Sequence, residues 1–194
     1  MEKITGIILG VMIASSLVTS ITLVTSKSPI AFATSSDNQD FMNMTEEQRI
    51  QAAENMTQDE KQAVMNEFSK QNSTFNENMA AGMKNNGQPL IGNFVGAGDG
   101  FHNVEGVAKL LVLADGKNFL RLENLKATNG PDLYVYLSTD KDTSDIVNLG
   151  RLKGNIGNQN YEIPEGTDTS KYNTVLIWCK AFSTLFGSAK LSSQ

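Results

Sequence analysis

Between residues 129 and 191 the chain is a succession of short β-rich runs broken by glycine and proline, and this pattern restricts the fold more than any other feature. Leu133, Val135 and Leu137 alternate with Tyr134, Tyr136 and Ser138, the period-two signature of a strand. The run 173–180 predicts the strongest strand, residues 161–164 a short one and residues 184–191 the last. The same grammar begins at Pro89. Residues 91–95 predict a first strand, and residues 96–100 a flexible turn. Residues 104–113 and 118–123 predict a hairpin around Asp115-Gly116, a favoured two-residue turn. Asn129-Gly130-Pro131-Asp132 is a further turn. About seven or eight short strands at this spacing argue for an all-β domain over residues 89–194, an antiparallel β-sandwich. With one cysteine, Cys179, the chain cannot form an internal disulfide, so burial and hydrogen bonding must hold it.

Two segments precede this domain. Residues 4–24 carry no charged side chain, follow Lys3 and lie upstream of Ala31-Phe32-Ala33. Residues 1–33 therefore read as a signal peptide cut after Ala33, or as a retained helix anchoring the protein to the membrane. Either reading places the remainder extracytoplasmically, secreted or tethered. Residues 34–88 form a polar extension rich in Asn, Gln, Glu and Met. Thr45 with Gln48 and Thr57 with Glu60 are capping boxes, and they predict two short helices, docked on the sandwich or forming a mobile stalk. Asn43, Asn55 and Asn72 each open an N-x-[ST] sequon and are candidate glycan sites of an exported chain.

The formal charge of −5 disfavours nucleic-acid binding, which rests on basic patches that release counterions. A single histidine, His102, and no G-x-S-x-G leave hydrolase chemistry without a base or a nucleophile elbow. Residues 150–157 are glycine-rich and basic but lack the Walker pattern and a following helix, so they read as a loop. Asp140, Asp142 and Asp145 lack the glycine and the final glutamate of a calcium loop. Six methionines fall between Met42 and Met83. The pairs Met42/Met44 and Met79/Met83 could offer thioethers to a cuprous ion, or could simply fill the inner face of the helices.

Cys179 leaves two readings open. If it shares a strand face with Val175 and Ile177, it is core packing, and a buried thiol without a nearby cation is inert. If it is reachable, it is the candidate redox thiol. With no second sulfur in the chain to resolve it, it could then form a mixed disulfide with another molecule or stop at a sulfenic acid. One-electron transfer would need a bound haem or copper, with His102 and Cys179 as the candidate cofactor ligands. A blue-copper site needs two histidines, and the haem-attachment motif C-x-x-C-H is absent.

The motifs Gly130-Pro131-Asp132-Leu133-Tyr134-Val135-Tyr136-Leu137-Ser138, Leu149-Gly150-Arg151-Leu152-Lys153-Gly154, Val175-Leu176-Ile177-Trp178-Cys179-Lys180-Ala181-Phe182 and Phe186-Gly187-Ser188-Ala189-Lys190-Leu191 resemble the DM-thirteen domain family, a β-sandwich module often grouped with DOMON domains. Gly157-Asn158-Gln159-Asn160-Tyr161-Glu162-Ile163-Pro164 and Gly100-Phe101-His102 also fit, so the resemblance covers roughly residues 90–193. It implies an exported or membrane-tethered electron-transfer module with a cysteine where Cys179 stands. The chain is then expected to be a redox accessory that does not turn over a substrate alone and that meets a redox partner. A surface module binding a protein or glycan, with a structural cysteine, is the competing expectation.

Overall fold

The computed structural model describes residues 40–79, 88–113 and 115–193. The export or anchor segment expected over residues 1–33 lies outside the described residues, as does Met83. Among the described residues no helix is long and apolar enough to cross a membrane.

Two helices lead, α1 (Glu46–Glu54) and α2 (Gln58–Ser69). Both begin at the capping boxes read from the sequence. The Thr45 and Thr57 hydroxyls accept from the Gln48 and Glu60 backbone N–H groups, and the Gln48 and Glu60 side chains accept from the cap backbones in return. Ten strands follow: β1 (Leu90–Asn93), β2 (Val95–Gly96), β3 (Val104–Val112), β4 (Asn118–Ala127), β5 (Leu133–Ser138), β6 (Ile146–Arg151), β7 (Ile156–Ile163), β8 (Thr174–Cys179), β9 (Thr184–Lys190) and β10 (Ser192–Ser193). They form two antiparallel five-stranded sheets, ordered β10-β1-β3-β4-β7 and β2-β9-β8-β5-β6.

The sandwich agrees with the sequence pattern, with three differences. The single first strand expected over residues 91–95 is split: Phe94 is buried, and the chain passes from one sheet to the other at that point. The β4 strand runs on past Glu123 through a bulge, with Asn124 at φ 49°, before it resumes pairing with β7 at Leu125. The loop expected over residues 150–157 is instead the end of β6, a short connection and the start of β7. Gly150 keeps its strand pairing to Val135 beside a register shift, which is why a glycine there reads as a break without being one.

The inner faces carry Leu120, Leu122, Val135, Leu137, Val175, Ile177 and Phe186, all in one buried cluster. The helices belong to that cluster too, through Ala53, Val64, Met65 and Phe68, as does Phe41 ahead of α1. Beyond α2 the chain runs beside β7. Phe75 and Glu77 donate their N–H groups to the Ile156 and Asn158 carbonyls at 2.9 and 2.8 Å, and Ile156 donates to Ser73 at 3.2 Å. A Cβ on Gly157, which sits at φ 119°, would come within 2.2 Å of the Phe75 carbonyl, so glycine is what lets this segment lie so close.

Candidate functional site

Cys179 ends β8, and its side chain lies on the inner face, fully buried. It pairs across to Leu133 on one side and Thr184 on the other. A four-residue turn, residues 180–183, carries the chain into β9; Ser183 stands at φ 49° and donates to the Lys180 carbonyl at 3.3 Å. Burial pushes the thiol up to about 12, although backbone N–H groups of Phe182, Asp132 and Ala181 pull it the other way. Of the two readings left open by the sequence, the geometry gives the sealed one: in this conformation the sulfur is a protonated, unreactive thiol.

The strand end that carries this sulfur is also where the sandwich meets the helices, through polar contacts. Asp132, which adjoins the sulfur through its backbone, has a fully buried carboxylate 2.9 Å from Arg49 Nε of α1 and 3.3 Å from a guanidinium nitrogen of Arg151. Burial pushes its pKa up against the opposing pull of the two guanidinium groups. Lys180, the next residue after Cys179, donates to Glu46 of α1 at 2.5 Å, and the Tyr134 hydroxyl donates to the other Glu46 oxygen at 2.5 Å. The hydrogen bond from Lys180, then that from Tyr134, holds Glu46 below the usual carboxylate range. The Phe182 ring packs on Phe41 with centroids 6.0 Å apart.

His102 reaches the same end of the sandwich from the β2–β3 turn. The turn expected as flexible over residues 96–100 is exposed at residues 98–100 and is fastened by Asp99. Asp99 Oδ1 accepts from the Phe101 and His102 backbone N–H groups at 3.0 and 2.8 Å, while Oδ2 meets His102 Nδ1 at 2.5 Å. Burial works to raise Asp99, but these hydrogen bonds prevail and bring it down to about 2. The imidazole lies between Phe101 and Phe186, centroids 4.9 and 4.3 Å away, and its side chain is only 10% exposed. The ring is therefore held and largely covered although it follows a glycine-rich turn. It lines a cavity of about 260 Å³ with Met65 and Lys61 of α2, Phe182 and Thr184. No hydrogen bond joins His102 to Cys179 among the described residues.

The methionines chosen from the sequence are dispersed in their surroundings. Met42 and Met79 are exposed and Met44 packs against the core, while Met65, which the sequence did not single out, faces the cavity beside His102. Among the described residues no three His, Cys, Asp or Glu side chains cluster as a metal site. Asn43, Asn55 and Asn72 are all exposed, and Asn72 accepts a hydrogen bond from Asn155 at 3.2 Å.

Asp99, Asp132, Arg49 and Glu46 escaped sequence reasoning. The spacing Asp99-x-x-His102 is the one signal that was available, because Asp at a turn accepts from backbone a few residues on. Arg49 and Asp132 lie far apart in the chain, and nothing in either neighbourhood announces the other.

Comparison of the chain with curated proteins finds no match, and comparison with solved structures finds none. A family model described as Electron transfer DM13 matches residues 96–191. The match spans the sandwich from the end of β2 to the close of β9 and excludes both helices. With its two antiparallel sheets and the cysteine at the end of β8, this part of the chain belongs to the electron-transfer DM13 family.

Proposed function

We propose that the chain is an extracytoplasmic redox accessory module in which Cys179 is a masked thiol, and that it does not turn over a substrate alone. The observation carrying this is the origin of the mask. Phe182 and Asp132 adjoin the sulfur through their backbones and Lys180 follows it in the chain, all within the family segment, and the side chain of each is held by a residue outside it: Phe41, Arg49 and Glu46 respectively. A cover built from a separate helical element can open without unfolding the sandwich. Once uncovered and ionised, the thiolate would attack one sulfur of a partner's disulfide, form a mixed disulfide and release the other partner sulfur as thiolate. The partner supplies the oxidising equivalents, since this chain has no second cysteine. The uncharged run 4–24 followed by Ala31-Phe32-Ala33 supports an extracytoplasmic site, as do three exposed sequons.

Thiol-reagent labelling of the folded protein tests the mask. Phe41→Ala is expected to speed labelling of Cys179 at least tenfold more than a core substitution of equal destabilisation, such as Leu122→Ala. Equal acceleration by the two would overturn the proposal. Fractionation with the mature N-terminus read by mass tests location, and a product retained in the cytoplasm would contradict it.

The complete burial of Cys179 and its raised pKa favour a second reading, a surface binding module with a structural cysteine. Its candidate contact area is a cleft of about 570 Å³ bordered by the exposed Val95 and by Thr174, Ser188 and Lys190.

A further inference from the structure

The masked thiol leaves the hydroxyl of Ser188 without a role. Ser188 is only 6% exposed, and its Oγ has no hydrogen-bond partner among the described residues. The oxygen is not sealed, however: Ser188 lines the cleft of about 570 Å³ beside β2, and Oγ keeps contact with solvent there. Buried polar groups in native folds are almost always satisfied, so a deep hydroxyl left open points to a ligand or a water that completes it. The cleft lies on the outer face of the second sheet. Antiparallel partners share a face, and Ser188 stands opposite Val95 on β2 and Leu176 on β8, while Lys190 stands opposite Thr174. Leu176 is fully buried and Val95 is 63% exposed. Thr174, 3% exposed, accepts from Lys190 Nζ at 3.3 Å and keeps its own proton to donate. Thr139, Asp140 and Lys141, from the β5–β6 connection, and Asn93, at the end of β1, complete the lining. Among the described residues, no side-chain hydrogen bond engages Thr139, Lys141 or Asn93.

We propose that this cleft binds a short neutral saccharide, with Ser188 Oγ at its floor and Asn93 at its rim. The groups left free are hydroxyl, amide, ammonium and carboxylate together, a set that both donates and accepts, and sugar hydroxyls do the same. Val95 supplies an apolar surface for the C–H face of a ring. The other classes of ligand fit less well. A lipid or an aromatic molecule calls for a mostly apolar lining, and among the described residues Val95 is the one aliphatic side chain there. A divalent cation would meet Lys141 and Lys190 with a single carboxylate, that of Asp140. A phosphate or sulfate group would meet that same carboxylate, and Lys190 is already engaged by Asn173 and Thr174. The volume lies within the range of small-molecule sites, about 300–1,000 Å³. The inference deepens the surface-module reading and rests on it; it needs neither Cys179 nor an open mask.

The test is calorimetric titration of the full chain with cellobiose, maltose, lactose and diacetylchitobiose, with the backbone amide spectrum recorded for each. At least one of these is expected to bind in the millimolar range or tighter, and to move the amide resonances of Asn93, Thr139 and Ser188 more than those of Lys180 and Phe182 beside Cys179. Ser188→Ala, which removes the oxygen and keeps the backbone, should weaken binding about tenfold, the effect of one hydrogen bond left unmade. Asn93→Ala, at an exposed position, should weaken it by a smaller factor and tests the site even where Ser188→Ala does not fold. Cys179→Ala should bind as the parent does. Binding at full strength in both cleft variants would overturn the proposal, and so would a panel in which no saccharide binds. Capture of acidic oligosaccharides alone, lost on adding salt, would overturn it as well. Retention on intact cells that none of these sugars displaces would overturn it too, while leaving the surface-module reading in place.

Discussion

Inside the sandwich, Leu120, Leu122, Val135 and Ile177 belong to one apolar cluster. Residues 40–79 join that cluster through Phe41, Val64, Met65 and Phe68, but they add a seam absent from the interior, of Arg49 with Asp132, Glu46 with Lys180 and Tyr134, and Glu77 with Lys153. The first region is held by area removed from water, which is non-directional and tolerant of similar shapes. The second is held by charges whose desolvation is costly unless every partner is present. The apolar region accounts for the fold, while on the proposed reading the polar seam governs what can reach Cys179. A seam of this kind is well suited to opening as a unit, because losing one ion unbalances the rest.

The contrast can be broken most strongly at Arg49. Arg49→Met leaves the Asp132 carboxylate buried with Arg151 alone, and chemical denaturation should show a loss of about 3–5 kcal/mol. Adding Asp132→Asn to that variant should restore part of the loss. If the single variant is as stable as the parent, the seam does not hold the helices.

Asn155 sharpens the comparison at the next level. It is buried, donates to the Ala127 carbonyl at 2.9 Å and accepts from Ser73 N–H at 2.7 Å, so it ties the segment after α2 to the sandwich. Asn155→Ala should cost about 1–3 kcal/mol, since it leaves those groups unpaired. Thr57→Ala removes one helix cap and should cost about 1 kcal/mol, read as a fall in thermal midpoint.

A weaker effect should appear with pH. Asp99 and Glu46 both titrate below their ordinary values of 3.8 and 4.5 in the folded chain. Each depressed carboxylate contributes stability above its unfolded value that is lost as pH falls through the folded one. The thermal midpoint should therefore drop between about pH 4.5 and pH 2, and Asp99→Asn should flatten the lower part of that fall. Asp132, raised by burial, acts with the opposite sign and limits the total. A midpoint that rises steadily on acidification would mean Asp132 dominates.

The sandwich was legible because its signals are local. Leu133, Val135 and Leu137 alternate with their neighbours, and Asp115-Gly116 marks a hairpin that β3 and β4 then form. The two helix starts were legible for the same reason, since a capping box spans four residues. What the sequence hid depends on distant partners. Glu46 meets Lys180 across 134 positions, and Glu77 meets Lys153 across 76, with no periodicity to connect them. The docking of the helices therefore stayed open between a stalk and a packed cover until the structure placed Phe41 on Phe182. The turn over residues 96–100 reads as flexible because of its glycines, while Asp99 in its midst fastens it to Phe101 and His102.

The central claim, that the helices mask Cys179 and can lift without unfolding the sandwich, is tested most directly by the denaturant dependence of thiol labelling under native conditions. Sub-global opening exposes less surface than unfolding, so the free energy of the labelling-competent form should fall with urea at a slope well below the equilibrium m-value. Arg49→Met should lower that free energy and leave the shallow slope unchanged. A labelling slope equal to the full unfolding m-value, in parent and variant alike, would contradict the account and leave Cys179 as a structural residue of the core.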